Sequence, residues 1–227
     1  MMPQRGHFSH GFNRLRGHYV ADIRSGICDP NAEPRVLRET AATALVDGNN
    51  GLGAVIGNFA MALAIQKAEE AGVGWVTVKG SNHFGIAGHY AEQALQRGML
   101  GLAFTNGSPY VAPTRSASSL FSTLPLSLAA PGLDGDRLLL DMATAAAAVG
   151  KMELARTHGD PIPAGWALDR EGRPTTDPEA ALPSGGGCGL PLGGPEETSG
   201  YKGYGLALLV ETFCGILSGS AWGPHIR

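Results

Sequence analysis

The chain has 227 residues, 43% of them hydrophobic, and its 17 Lys and Arg against 20 Asp and Glu give a formal net charge of -3. That composition suffices for one globular domain, or a domain with an appendage, and the lack of any basic run argues against a nucleic-acid or membrane partner and for a small-molecule ligand. Cys28, Cys188 and Cys214 are too few and too scattered for a disulfide framework or a zinc site, and MMPQRGHFSHG carries no apolar signal core, so a cytoplasmic protein is expected.

Taken in chain order, GHFSHGFNRLRGHY (Gly6 to Tyr19) brings Ser9, His10 and Arg14 close together. Ser9 beside His10 could serve nucleophilic or proton-relay chemistry, but neighbours in a regular element point apart, and Ser9 as a helix N-cap is the structural alternative. Asp29 to Pro34 is a loop by its turn residues. Thr43 to Val46 reads as a short strand entering the turn residues Asp47 to Gly51. Leu52, Val55, Ile56, Phe59 and Leu63 then recur at helical spacing. Gly51, Gly53 and Gly57 form a G-x-G-x-x-x-G at this junction, which superficially suggests dinucleotide binding. In a chain with 34 glycines such spacing arises easily, and packing of helix against sheet is the preferred reading.

The stretch from Trp75 to Gly107 combines a strand (Trp75, Val76, Val78), a polar turn Ser81-Asn82-His83-Phe84-Gly85, a helix from Ile86 to Arg97 and a strand from Leu100 to Thr105. A helix of that length is expected to return the chain to a parallel neighbour, which puts His83 at the rim of the sheet where ligands of open α/β sheets bind. An imidazole titrating near ~6.5 is suited to moving a proton at neutral pH. Capping of the helix by His83 is the structural alternative.

Further on, Ser108 to Pro113 is irregular, and Leu126 to Ala130 with Arg137 to Asp141 reads as a hairpin around PGLDGD, making the sheet mixed. Asp141-Met142-Ala143-Thr144 ends the second strand, and Ala145 to Arg156 reads as an alanine-rich helix. Lys151 lacks the surroundings of a P-loop. Ile162 to Asp177 and Leu182 to Gly194 are loops. Leu206 to Leu217 carries one charge and reads as a nearly buried helix. Lys202, at its start, opposes the helix dipole unless an anion binds there; an ordinary solvated lysine is the alternative.

SNHFGIAGHYA followed by FTN and VAP, SHG with an Arg five positions after its Ser, DMAT, GWA, PTTDP and PLGG together resemble the malate/L-lactate dehydrogenase family that lacks the Rossmann fold and also includes ureidoglycolate and sulfolactate dehydrogenases. The resemblance runs from about Gly6 to Arg227. It implies an α/β fold with a seven-stranded, mixed and mostly antiparallel sheet flanked by helices. It also implies a substrate-site segment over residues 1–40, an NAD(P)-binding core domain over 41–227 and a homodimer. The implied reaction is hydride transfer between NAD or NADP and a small 2-hydroxy or 2-oxo acid such as malate or lactate. His83 is implied as proton donor and acceptor, with His10 as the alternative donor. Arg14 clamps the carboxylate, and Ser9 with His10 orients the substrate. Ser81, Phe84, Gly85, Asn106, Asp141, Met142, Ala143 and Lys202 are the implied cofactor contacts.

The chain also departs from the family pattern. The family has a Tyr four residues beyond the Arg, where this chain has His18, with Tyr19 one further. Leu124 replaces the Asn of Gly-Thr-Asn-Pro-Leu, and Lys151 stands where some relatives have an Asp. The family also extends further at both ends, so a shortened, catalytically weak member that binds nucleotide or partner subunits is the second expectation.

Overall fold

Val46 and Ile56, both fully buried, anchor the first elements in the computed structural model, which describes residues 14–226. A π-helical turn over Leu15–Val20 runs into the short helix α1 (Ala21–Arg24). Strands β1 (Arg35–Glu39) and β2 (Thr43–Gly51) follow, and they pair antiparallel. In β2 every second residue from Ala44 to Gly48 is buried, the period of a strand with one face on a core. Helix α2 (Gly53–Ala71) then leads to β3 (Trp75–Ser81), which lies parallel to β2 with Thr43 opposite Trp75 and Val46 opposite Val78. The β2–α2–β3 unit is thus a parallel crossover, and β1 makes its sheet mixed. β2 is longer than Thr43 to Val46 because Asn49 and Asn50, at φ 51° and 56°, carry the chain through left-handed backbone that Asn tolerates.

Helix α3 (Gly88–Leu95) covers a second sheet made of β4 (Gly101–Phe104), β5 (Leu126–Pro131) and β6 (Arg137–Met142), in that order. Ala87, Tyr90 and Ala91 pack on Ala103 and Ala129. The expected hairpin over PGLDGD is present, but the expected parallel pairing of the strands on either side of α3 is not. β4 pairs antiparallel with β5, placing Phe104 opposite Leu126, and the parallel partner of β3 is β2. Alternation and length mark a strand without specifying its neighbour, and the α2 crossover had already filled the parallel position. Among the described residues the strands fall into three sheets of three rather than one sheet of seven. The α/β class, with mixed and antiparallel sheets flanked by helices, is as expected.

These elements belong to one compact unit, Met1–Phe104 with Leu126–Asp141 and Phe213–Ser220. A second unit comprises Thr105–Pro125, Met142–Thr212 and Ala221–Arg227. The second unit holds α4 (Val149–His158), β7 (Ala167–Leu168), β8 (Pro174–Thr175), α5 (Pro178–Ala181), β9 (Cys188–Gly189) and α6 (Gly200–Glu211). Its core gathers Tyr110, Met152, Ile162 and Leu182. The helix expected from Ala145 begins only at Val149, because Ala145 bridges Pro191 and the Ala146 N–H donates to Leu190 O at 2.9 Å. Alanine's small side chain fits this buried extended segment as readily as a helix. The stretch expected as a nearly buried helix leaves Leu208 and Leu209 42–44% exposed and, in the π-turn that follows, Ile216 61% exposed, while its one charged residue, Glu211, is buried. Cys28 and Cys188 are buried thiols, and Cys214 is partly buried. Among the described residues no helix is long and apolar enough to cross a membrane.

Candidate functional site

The site builds outward from the end of β3. Ser81 is its last residue, and the chain turns through Asn82, His83, Phe84 and Gly85 before α3 begins at Gly88. Asn82 ties this turn to the end of β2, its Nδ2 donating to Asn50 O at 2.8 Å and to Gly51 O at 3.1 Å. Helix α2 presses on the turn from another side. A Cβ at Gly53 would stand 2.1 Å from Asn82 O and 2.5 Å from His83 O, and one at Gly57 would meet the Tyr90 ring. Of the three glycines in the G-x-G-x-x-x-G, these two therefore serve close packing, as the sequence suggested. Gly85 adopts φ 90°, which a side chain would strain.

Phe84 is held by stacking on Tyr90, with ring centroids 4.6 Å apart, and the Tyr90 hydroxyl donates to Phe84 O. Burial pushes the Tyr90 phenol well above its ordinary value, so it remains a neutral donor. Asp141 Oδ2 accepts from the Gly88 N–H at 3.0 Å, placing a carboxylate at the N-terminus of α3 where the helix dipole favours it. Asp141 thus braces the helix that follows His83.

Held on both flanks, His83 is exposed at the strand-to-helix rim where the sequence put it. The Tyr19 hydroxyl lies 2.6 Å from His83 Nδ1, with the rings edge to face and centroids 5.5 Å apart. The Gly85 N–H reaches the same nitrogen at 3.3 Å. Tyr19 comes from the π-turn, at whose N-cap stands Arg14, partly buried. In an α-helix a residue four positions on returns to the same side, whereas a turn closed i→i+5 brings back the fifth. The extra residue between Arg14 and Tyr19 is absorbed in this way. Helical periodicity of 3.6 gave no sign of it, and Tyr19 is the partner of His83 that sequence reasoning missed.

The other predicted residues lie elsewhere. Ser9 and His10 fall outside the described residues. In the second unit, Asn106 Nδ2 donates to Glu211 Oε1 at 2.9 Å and to Ala221 O at 3.3 Å, which uses both amide hydrogens. Met142 and Ala143 are half-buried, and Ala143 packs on the core of that unit. Lys202 is exposed in the first turn of α6, a turn without acidic residues. Lys151 lies over the Trp166 ring, 5.8 Å from its centroid, a cation–π contact. Leu124, where the family has Asn, is fully buried at φ 39°, so its backbone takes the left-handed form that Asn adopts more easily.

The profile of the malate/L-lactate dehydrogenase family matches residues 3–227. The chain is 46% identical over 228 residues to a malate dehydrogenase of Pyrococcus horikoshii, covering 100% of this chain and 62% of that protein. It is 42% identical over 223 residues to an L-sulfolactate dehydrogenase of Methanocaldococcus jannaschii, covering 98% and 62%. Its fold superposes on the crystal structure of malate dehydrogenase from Entamoeba histolytica with a TM-score of 0.92 at 36% identity, covering 97% of this chain and 62% of that one. The chain therefore spans somewhat less than two thirds of the length of these relatives.

Proposed function

We propose, because this chain belongs to the malate/L-lactate dehydrogenase family, that it acts as an NAD(P)-dependent oxidoreductase interconverting a small 2-hydroxy acid and its 2-oxo acid. Malate and lactate are the substrate types. The observation that carries the reading is His83, an exposed imidazole fixed at a strand-to-helix rim by a hydroxyl and a backbone amide. When bound, the reduced nicotinamide supplies a hydride to C2 of the oxo acid. His83 supplies the proton that the oxo oxygen then needs, and takes it back in the opposite direction. Arg14 holds the substrate carboxylate through the two parallel hydrogen bonds that a guanidinium can make. Ser9 and His10 orient the substrate, with His10 as the alternative proton donor.

The chemistry of Lys202 fits a nucleotide. An exposed cation in an acid-free first turn, beside the positive end of a twelve-residue helix, suits a phosphate. Ser81, Phe84 and Gly85 around His83, and Asn106, Met142 and Ala143 in the second unit, are the further cofactor contacts. For Asp141 the proposed role is indirect, through the N-terminus of α3.

Titration with NADH and NADPH followed by nicotinamide fluorescence, then addition of a panel of 2-oxo acids, tests the reading. Turnover of at least one acid is expected. Nucleotide binding without turnover of any acid would instead favour a binding-only member of the family, and absence of both sinks the proposal. Arg14→Lys is expected to raise KM for the acid about tenfold or more and to leave nucleotide affinity unchanged, because a point charge cannot reproduce a bidentate contact. An unaltered KM would remove Arg14 from the site.

The proposed assembly is a cytoplasmic homodimer. Leu208, Leu209, Ile216 and Leu217 are each 42–61% exposed, and apolar surface of this kind marks association. Light scattering at micromolar concentration checks it, and a well-behaved monomer would refute it.

A further inference from the structure

The state of the His83 ring is open to a closer reading, which rests on His83 being the proton-moving group of the site. A backbone N–H can only donate, so the Gly85 contact at 3.3 Å requires a lone pair on Nδ1, and the proton of the neutral ring then sits on Nε2. The Tyr19 hydroxyl, 2.6 Å from the same nitrogen, fits as a second donor. It differs from the amide in one respect: a hydroxyl can rotate and accept. If the ring gains a second proton, at Nδ1, the Gly85 amide loses its partner while the phenol can reverse and keep its own.

We propose that Tyr19 is a positioning residue of the site: it holds the His83 imidazole as the Nε2–H tautomer and remains its partner when the ring becomes a cation. In reduction the Nε2–H bond breaks, its proton forms the new O–H bond on the substrate oxygen, and the ring returns from cation to neutral. The neutral ring so formed carries its proton on Nδ1, held by the Tyr19 oxygen, until exchange with solvent takes that proton off Nδ1 and returns one to Nε2, restoring the resting tautomer in which Tyr19 and the Gly85 amide both donate to Nδ1. Burial raises the Tyr19 phenol above its ordinary value, so the hydroxyl keeps its own proton throughout and supplies a hydrogen bond rather than a charge. The π-turn over Leu15–Val20 has a corresponding role, since it carries Tyr19 round to the side on which an α-helix would have placed residue 18.

Tyr19→Phe keeps the edge-to-face ring contact and deletes only the hydroxyl. The test records imidazole 1H–15N correlations of the full chain at about pH 8, above the ordinary imidazole range near ~6.5, with the His83 signals identified by their loss in His83→Ala. The parent is expected to show a protonated Nε2 and an unprotonated Nδ1. In Tyr19→Phe the Nδ1–H tautomer is expected to rise to a measurable share while the other imidazole signals stay in place. Where turnover is measurable, kcat is expected to fall about tenfold, the effect of losing one hydrogen bond, with KM for the nucleotide unchanged. A parent already protonated at Nδ1, or a Phe variant with the parent's tautomer and kcat, overturns the proposal. The tautomer reading needs no turnover, so its failure is distinct from failure of the dehydrogenase reading, which His83→Ala tests.

Discussion

His83→Ala is expected to lower turnover of a 2-oxo acid by about 10²- to 10⁴-fold, the usual worth of general acid–base catalysis, and to leave NAD(P)H affinity nearly unchanged. The expectation comes from the exposed position of the imidazole and from the number of contacts that fix the turn carrying it. Asn82 binds the turn to β2, Gly53 brings α2 against its carbonyls, and Asp141 holds the helix that follows. None of these contacts depends on the imidazole itself, so alanine removes the proton carrier without dismantling the frame. Steady-state kinetics beside a nucleotide titration decide the matter. A mutant with the parent's kcat would transfer the role to His10.

Gly53→Ala is expected to reverse the usual sign of a glycine-to-alanine change in a helix. Alanine ordinarily stabilises a helical position by about 0.5–1 kcal/mol. Here the added methyl would stand 2.1 Å from Asn82 O and 2.5 Å from His83 O, contacts with backbone rather than with flexible side-chain ends. Relief requires α2 or the His83 turn to move, and overpacking of this kind costs about 1–3 kcal/mol. A melting point lowered by roughly 2–10 °C is expected for a chain of this size, together with reduced turnover as His83 shifts. Equal or higher thermal stability would mean that α2 does not press on the turn as described.

Much of this site is legible in the order of the residues alone. β3, the turn with His83 and helix α3 follow from alternation, glycine boundaries and helical spacing, and the hairpin of β5 and β6 follows from PGLDGD. The features that local patterns hide are those that depend on partners distant in the chain. Alternation around Trp75 says nothing of whether β2 or β4 will lie beside it. β1 has adjacent Val36 and Leu37 among charged residues, so no period marks it. Asp141 caps a helix 53 residues earlier, a role that no local pattern announces. Tyr19 is displaced by a single residue from the expected position because every helical template assumes 3.6 residues per turn, and a π-turn breaks that assumption.

The buried thiols make each unit report on its own integrity. Cys28 lies in the first unit and Cys188 in the second, and burial raises both thiols above their ordinary range, so neither reacts readily while its surroundings stay closed. Cys214, only partly buried, is the one a thiol-modifying reagent meets first. Once it is blocked, the rates at which the remaining two are labelled measure how often each unit opens, without any engineered probe. If the two rates rise at different denaturant concentrations, the units unfold separately; if they rise together, the chain unfolds as one cooperative body.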